Sequence, residues 1–399
     1  MTQTSSASAY AGAARNSAGE ADARNMRLIG HNDIGGKGDC MHINVVDGFA
    51  YVAHMGENGI GTSILDVHDP TAPRLVHQLM VPPFTHSHKV QIVGDVLLVN
   101  YEQYGHGGKG VTGLKVFDIS KRDLPREIGF LPMTGKGVHR MTYWEPPYAT
   151  MSGSDEGWVD QFFMAVDLSD PSSPREVGRW WLPGMWAQGG EEMTAPSGRR
   201  YAMHHAHIRN NRAYSGWWDA GLVILDVSDI TKPALVSHLP FGDDQSGCTH
   251  TTLPVPGRDI LVVTDESTHD LCQEVPKDVR VVDISDDRNP RVIAKFPRPE
   301  GDYCSMGRFG PHNIHEHRPG SLLDPNTIYL TYFNAGVRVY DISDAARPRE
   351  IAYFVPEAPP SGKDTIQMND IYVHSDGLIY STDRFGGGLY IFELQRNGH

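Results

Sequence analysis

From residue 26 onward the chain reads as short apolar runs, some continuous and some alternating with polar residues, each closed by Gly, Pro, Asn or Asp. HINVV, FAYVA, TSILDV and RLVHQL, between His42 and Leu79, are the clearest set. A period of two puts successive side chains on opposite faces of a β-strand, and these runs are too short and too often interrupted for helices. The pattern predicts an all-β chain of many short strands. The 42 glycines and 27 prolines fit that reading, because tight connections use both residues.

One phrase recurs. ILDVHDPTAPRLV, VFDISKRDLPREIG, AVDLSDPSSPREVG, ILDVSDITKPALVS, VVDISDDRNPRVIA and VYDISDAARPREIA each carry an acidic residue: Asp66, Asp118, Asp167, Asp226, Asp283 and Asp341. Seven positions after each comes a proline: Pro73, Pro125, Pro174, Pro233, Pro290 and Pro348. A second Asp, or its stand-in, sits three residues after the first, where an Asx turn uses a carboxylate. Glu393 in YIFEL continues the series, and successive acidic residues lie 49 to 59 residues apart. That period suits one four-stranded propeller blade with generous loops.

The seventh unit, Asn369 to Leu394, lacks a fourth strand, while MRLIG (Met26–Gly30) resembles the fourth-strand sequences PREIG and PREVG. Joining the two predicts a seven-bladed β-propeller whose N-terminal strand completes the last blade and removes two exposed sheet edges. Residues 25–399 then form a single propeller domain. Residues 1–24, rich in Ala, Ser and Gly, form a disordered tail with no pattern of a secretory signal. The motif LVILDVSDITKP (Leu222 to Pro233) and its sisters resemble the LVIVD-repeat family of β-propeller proteins, across residues 26–395. The resemblance implies the architecture and no particular reaction.

Charge narrows the partners. With 35 Lys+Arg against 49 Asp+Glu the net charge is −14, which argues against nucleic acid as a ligand. No apolar run is long enough to cross a bilayer as a helix. Four cysteines in 399 residues, with no export signal, read as reduced thiols and a cytoplasmic location. Oligomeric state is left open.

The 20 histidines change the picture most. In a propeller the first strand of each blade lines the central channel and starts on the face where the turn between strands two and three opens. Histidines stand at that start in six of seven units: His42, His86 with His88, His139, His204-His205-Ala206-His207, His250 and His312. Imidazoles converging on an axis suit a divalent transition metal, Zn, Mn, Fe or Cu, with His42, His86, His139, His205, His250 and His312 as its expected ligands. The competing reading is a polar channel that holds only water. Cys40 and Cys248 each precede one of these histidines by two residues, which points either to thiolate ligands or to small buried thiols between blades.

Carboxylates and aromatics fall on the same face. Glu102, Glu266 and Glu192, together with His88, His207 and Tyr101, are the expected proton carriers. The long connection holding Trp181 and Trp186, with Trp217, Trp218, Phe333 and Arg384 nearby, predicts a lid over a pocket for a small apolar or aromatic molecule. Phosphate-loop, dinucleotide and nucleophile-elbow motifs are absent, and GHGGKG (residues 105–110) has no following helix to make a phosphate site. The expected function is a metal-dependent lyase or hydrolase with the ion as Lewis acid. A non-haem iron or copper oxygenase or oxidase, and a non-catalytic interaction scaffold, are the alternatives.

Overall fold

The computed structural model describes residues 21–241, 247–361 and 363–395. Among them the chain is all-β, with two single 3-10 turns, Ile34–Gly36 and Ala187–Gly189, as its helical elements. No helix is long and apolar enough to cross a membrane.

Strands that follow one another in sequence pair antiparallel in most of the sheets. The first sheet is Cys40–Val46, Phe49–His54, Ile60–Asp66 and Arg74–Met80. A nine-stranded sheet follows and contains two such arrays. One is Val90–Val93, Val96–Gln103, Gly113–Asp118 and Arg126–Pro132; the other is Gly137–Thr142, Tyr148–Ser154, Phe162–Asp167 and Arg175–Trp180. They meet where Gly137 pairs with Glu102, and Thr85–His86 pairs beside them. Two four-stranded sheets come next. The first holds His205–Arg209, Arg212–Gly216, Leu222–Asp226 and Ala234–Leu239, and the second Thr249–Pro254, Ile260–Asp265, Val279–Asp283 and Arg291–Lys295. Thr327–Thr331, Val337–Asp341 and Arg349–Val355 form a sheet with Asp22–Arg24 on its outer edge. In the last sheet Met26–Asn32 lies against Gly388–Leu394, followed by Leu378–Asp383 and Met368–Val373.

The repeat aspartates explain the hairpins. One carboxylate oxygen accepts the N–H two residues on, as in Asp118 to Ser120 (2.8 Å), Asp226 to Ser228 (2.9 Å) and Asp341 to Ser343 (2.8 Å). The other oxygen takes an arginine eight residues on, as in Arg74 to Asp66 (2.8 Å), Arg126 to Asp118 (2.8 Å) and Arg349 to Asp341 (2.6 Å). Each carboxylate thus closes the turn and pins the strand after it. Apolar clusters fill the spaces between successive sheets. Phe163 and Ala165 of one sheet meet Ala213, Val223 and Leu225 of the next, and Met26, Val339, Ile371 and Phe392 share another cluster.

Three of the fourth strands carry glycine where the next sheet's turn comes close. A Cβ at Gly129 or Gly178 would overlap the carbonyl of Pro171 or Ile230, and one at Gly30 would overlap that of Pro70. The N-terminal strand therefore meets the first sheet as the other fourth strands meet their successors. First strands of the last and first sheets also touch: Ile43 N–H donates to Asp370 (2.9 Å), and Asn369 donates to the Met41 carbonyl (2.7 Å).

Two expectations need correction. The disordered tail does not extend to residue 24, because Asp22–Arg24 pairs with Tyr353–Val355 and Arg24 reaches Glu350 at 3.0 Å; residues 1–20 lie outside the described residues. Nor are all four cysteines free thiols. Cys272 and Cys304 form a disulfide between the connection after Asp265 and the long connection before Pro311, while Cys40 and Cys248 are free.

Replacing Gly30 by Ala should lower stability by about 1–3 kcal/mol, the usual cost of overpacking. Thermal melts followed by circular dichroism check this, and a melting temperature equal to wild type would deny the contact between Gly30 and Pro70.

Candidate metal centre at the channel mouth

Bulges aim the site. Val138 and Arg140 pair with Gly153 and Ser152, so His139 is the extra residue; Thr249 and Thr251 pair with Asp265 and Thr264, so His250 is. The same irregularity falls at Met41 in the first sheet and Asn369 in the last. A bulged residue leaves the ladder and its side chain is re-aimed, here toward the axis.

The result is an arc of imidazoles in successive tilted and edge-on contact. Ring centroids are 4.7 Å apart for His88 and His139, 5.1 Å for His139 and His204, 3.6 Å for His204 and His250, and 4.6 Å for His250 and His312. His86 joins at 4.2 Å from His88, and Phe333 stacks on His312 at 4.7 Å. Two carboxylates serve the arc. Glu102 receives His86 Nε2 at 2.7 Å and His139 Nδ1 at 2.9 Å. Glu266 lies 3.8 Å from His250 Nε2 and 3.7 Å from His312 Nε2. Other acids on these turns are committed to the scaffold: Asp219 accepts Arg200 N–H (2.8 Å) and Asp383 accepts Gln367 N–H (2.6 Å).

A second, deeper layer is ionic. Glu316 binds Arg140 and, at 3.0 Å, Arg318, whose guanidinium also lies 3.5 Å from Asp370. His205 and His207 approach Glu316 at 3.3 and 3.5 Å, and His42 approaches Asp370 at 3.5 Å. His42 pairs with Ala53 in the register and so falls in this layer with Arg140 and Asp370, not with His139 and His250. In the fourth unit His204 takes the place in the arc and His205 drops inward. The sequence placed His204 at the channel start but named His205 as the ligand, and Lys89, Arg140, Glu316 and Arg318 were missed. The basic residues in His88-Lys89 and His139-Arg140, set inside apolar strands, were the available signal.

Burial sets the charge states. His204, His250 and His312 are pushed well below the usual imidazole value, first by desolvation and then by neighbouring cationic or imidazole groups. They are neutral at pH 7, the form that ligates a metal. Burial, with Arg140 beside it, brings Lys89 down to about 7. Desolvation pushes Glu102 up, but the His139 and His86 donors outweigh it and hold the carboxyl low. Glu266 is raised by burial, although Arg308 opposes this.

Three groups have donor atoms close enough together to share an ion: His86, His88 and Glu102; His205, His207 and Glu316; and His250, Glu266 and His312. They are not equivalent. Glu316 is already neutralised by two guanidiniums, and Glu102 is taken up by two imidazoles. In the third group His250 Nδ1 is fixed on Thr251 Oγ1 (2.8 Å) and His312 Nδ1 on the Asn369 carbonyl (2.7 Å), so both Nε2 atoms face Glu266. Bonds of about 2.0–2.2 Å to a shared ion imply ligand separations of roughly 3–3.5 Å, so the 3.7 and 3.8 Å found need little adjustment. Neither cysteine joins. Cys40 is buried with its thiol pushed up, its Sγ 3.9 Å from His54, and burial raises Cys248 to about 12.

The remaining expected residues scatter. His88 sits behind His86 with Nε2 unpartnered, and His207 stacks on Trp144 (4.7 Å) toward the far end of the channel. Tyr101 packs between sheets against Phe130, pushed up to about 12 by burial, and Glu192 is exposed. Trp181 donates to Glu191 (3.1 Å) and, with Trp186, packs on Trp158 at 4.7 and 6.0 Å, so these tryptophans pack on one another while Trp186 stays exposed. Trp217 is fully buried in the core, donating to Ser215 (2.8 Å). Trp218 faces the mouth near His204 (6.3 Å), Phe333 lies beneath His312, and Arg384 lines a cleft beside the arc.

Trp217→Ala should therefore destabilise the fold by about 3–5 kcal/mol, the usual cost of emptying a buried aromatic site. Denaturant unfolding measures it; a change below about 1 kcal/mol would place Trp217 outside the core.

Comparison with known proteins agrees on architecture. The solved structures it resembles include a computationally designed protein, Ika8 (9% identity, TM-score 0.53, 92% of this chain and 99% of that one). They also include the periplasmic gluconolactonase PpgL of Pseudomonas aeruginosa (9%, 0.59, 86% and 93%) and Sqt1 of Saccharomyces cerevisiae (8%, 0.58, 92% and 98%). At such identities the likeness bears on the fold alone, and that fold is a β-propeller. No curated protein sequence matches. The LVIVD repeat model matches residues 37–81, 159–181 and 207–239, so these three segments carry LVIVD repeats.

Proposed function

We propose that the chain is a metal-dependent enzyme working at the mouth of a closed seven-bladed propeller, with His250, His312 and Glu266 holding a divalent transition ion. The contact of Gly30 with Pro70 supports closure by the N-terminal strand. The observation that carries the metal reading is the orientation of two neutral imidazoles, each fixed through Nδ1, with Nε2 turned toward one carboxylate. Such anchoring sets tautomer and aim in metal-binding histidines. His204, whose ring centroid lies 3.6 Å from that of His250, is a further donor beside it.

The reaction class proposed is redox-neutral, a lyase or hydrolase, in which a bound ion would act as Lewis acid. Glu102, held ionised by His86 and His139, fixes the orientation of those two imidazoles at the mouth. Arg308 and Arg384 contribute positive charge at the same mouth. Two imidazoles and one carboxylate are also the donor set of non-haem iron oxygenases, and this supports an oxygen-dependent second reading. The Cys272–Cys304 bridge favours an oxidising compartment over the cytoplasm.

Protein purified without a His-tag should contain close to one transition-metal ion per chain by mass spectrometry, and His250→Ala with His312→Ala should remove it while the sheet signal in circular dichroism persists. A metal-free wild-type protein that takes up no ion on reconstitution would return the arc to a hydrated polar channel. Once an assay exists, Glu102→Gln should lower kcat by about 10–100-fold, the usual cost of losing a carboxylate that orients imidazoles at a metal site, without emptying the ion site. Turnover that persists under strict exclusion of oxygen would discard the oxygenase reading, and turnover that stops would discard the redox-neutral one.

A further inference from the structure

Beside the arc opens a cleft of about 490 Å³ whose walls are charged rather than aromatic. Lys37, Arg308, Lys363 and Arg384 line it, with Asp39, Glu57 and Asp270. The first two acids have partners of their own: Asp39 binds His54 (2.8 Å) and the Glu57 N–H (3.0 Å), and Glu57 accepts the Tyr104 hydroxyl (3.2 Å).

The two arginines are differently placed. Arg308 extends over the face of Phe333 (5.2 Å), 3.8 Å from Glu266 and 3.8 Å from Asp270, and its buried Nε has no hydrogen-bond partner. Arg384 is anchored by its backbone, with N–H donating to Gln367 (3.0 Å) and its carbonyl accepting from Asp39 (2.8 Å); its guanidinium makes no hydrogen bond among the described residues. Burial and the nearby Arg308 charge both weaken its hold on its proton, so the two guanidiniums feel one another. Two cations facing a partly dry cleft, short of hydrogen-bond acceptors and next to a candidate reaction centre, suit a planar anion that takes parallel N–H bonds.

We propose that the molecule handled at the channel mouth is a small organic carboxylate, its charged end bound by Arg308 and Arg384 beside His250, Glu266 and His312. The assignment of a reacting end rests on the metal reading above, whereas the binding of the carboxylate does not. Phe385, which lines the cleft, then flanks the body of the molecule, which places it on this side of the mouth and not beneath the Trp181–Trp186 connection.

Titration calorimetry at fixed ionic strength tests this with formate, acetate, succinate and benzoate against formamide, acetamide, succinamide and benzamide. At least one carboxylate should bind about tenfold more tightly than its uncharged amide, a difference of about 1.4 kcal/mol. That preference should vanish in R308Q/R384Q and fall in R384Q alone. It should survive in R384K and in H250A/H312A, so that failure of the metal reading leaves it intact. Near-ultraviolet circular dichroism confirms the fold of each variant, and R384Q decides if the double variant does not fold. Equal binding of every acid and amide, an undiminished preference in R384Q, or tighter binding of inorganic phosphate than of every carboxylate would overturn the proposal.

Discussion

A carboxylate with two duties sets the frame of this molecule. In each repeat aspartate one oxygen closes an Asx turn, and in most of them the other pairs with an arginine eight residues on. The turn and the strand after it are thereby placed by one side chain, at the outer edge of each sheet, where solvent would otherwise compete for the backbone. With the outer hairpins fixed, the glycines of the fourth strands let neighbouring sheets approach to backbone contact, and apolar side chains fill what remains.

The inner ends of the sheets carry the chemistry, and here irregularity matters more than repetition. Bulges at His139 and His250 aim imidazoles at the axis, whereas the same irregularity in the first and last sheets aims Met41 and Asn369. Donors are therefore concentrated on one arc of the mouth. Below it, Arg140, Glu316, Arg318 and Asp370 link three different units through buried ion pairs. Removing one member would strand a buried charge, so the network fixes how the sheets meet even where it adds little net stability.

Electrostatics separates the two layers. The deep acids are matched by guanidiniums, which leaves little negative potential for a cation. At the mouth Glu266 faces neutral imidazoles, with the Arg308 guanidinium 3.8 Å away and no hydrogen-bonded guanidinium of its own. The combination of an underused carboxylate, neutral nitrogens and unsatisfied guanidiniums is costly to maintain in a folded protein, and it is the signature of a site that gains from a ligand.

The sequence by itself determined the all-β class, the repeat, the strands and turns, and the gathering of histidines toward one end of the first strands. These follow from local rules: a period of two, Asx turns, and a fixed offset from aspartate to proline. Glu102 and Glu266 were legible because they end second strands. Which histidine of each unit joins the arc was not, since a one-residue bulge exchanges the layer a side chain occupies, as it does between Met41 and His42, and in the fourth unit the residue just ahead of the strand, His204, joins it instead of His205. Trp217 and Tyr101 read as site residues but belong to the core, because strand alternation turns them between sheets. The Cys272–Cys304 bond and the pairing of Arg140 with Glu316, a residue from another sheet, depend on which loops the tertiary fold brings together. No local pattern carries that information, and only the three-dimensional structure decides it.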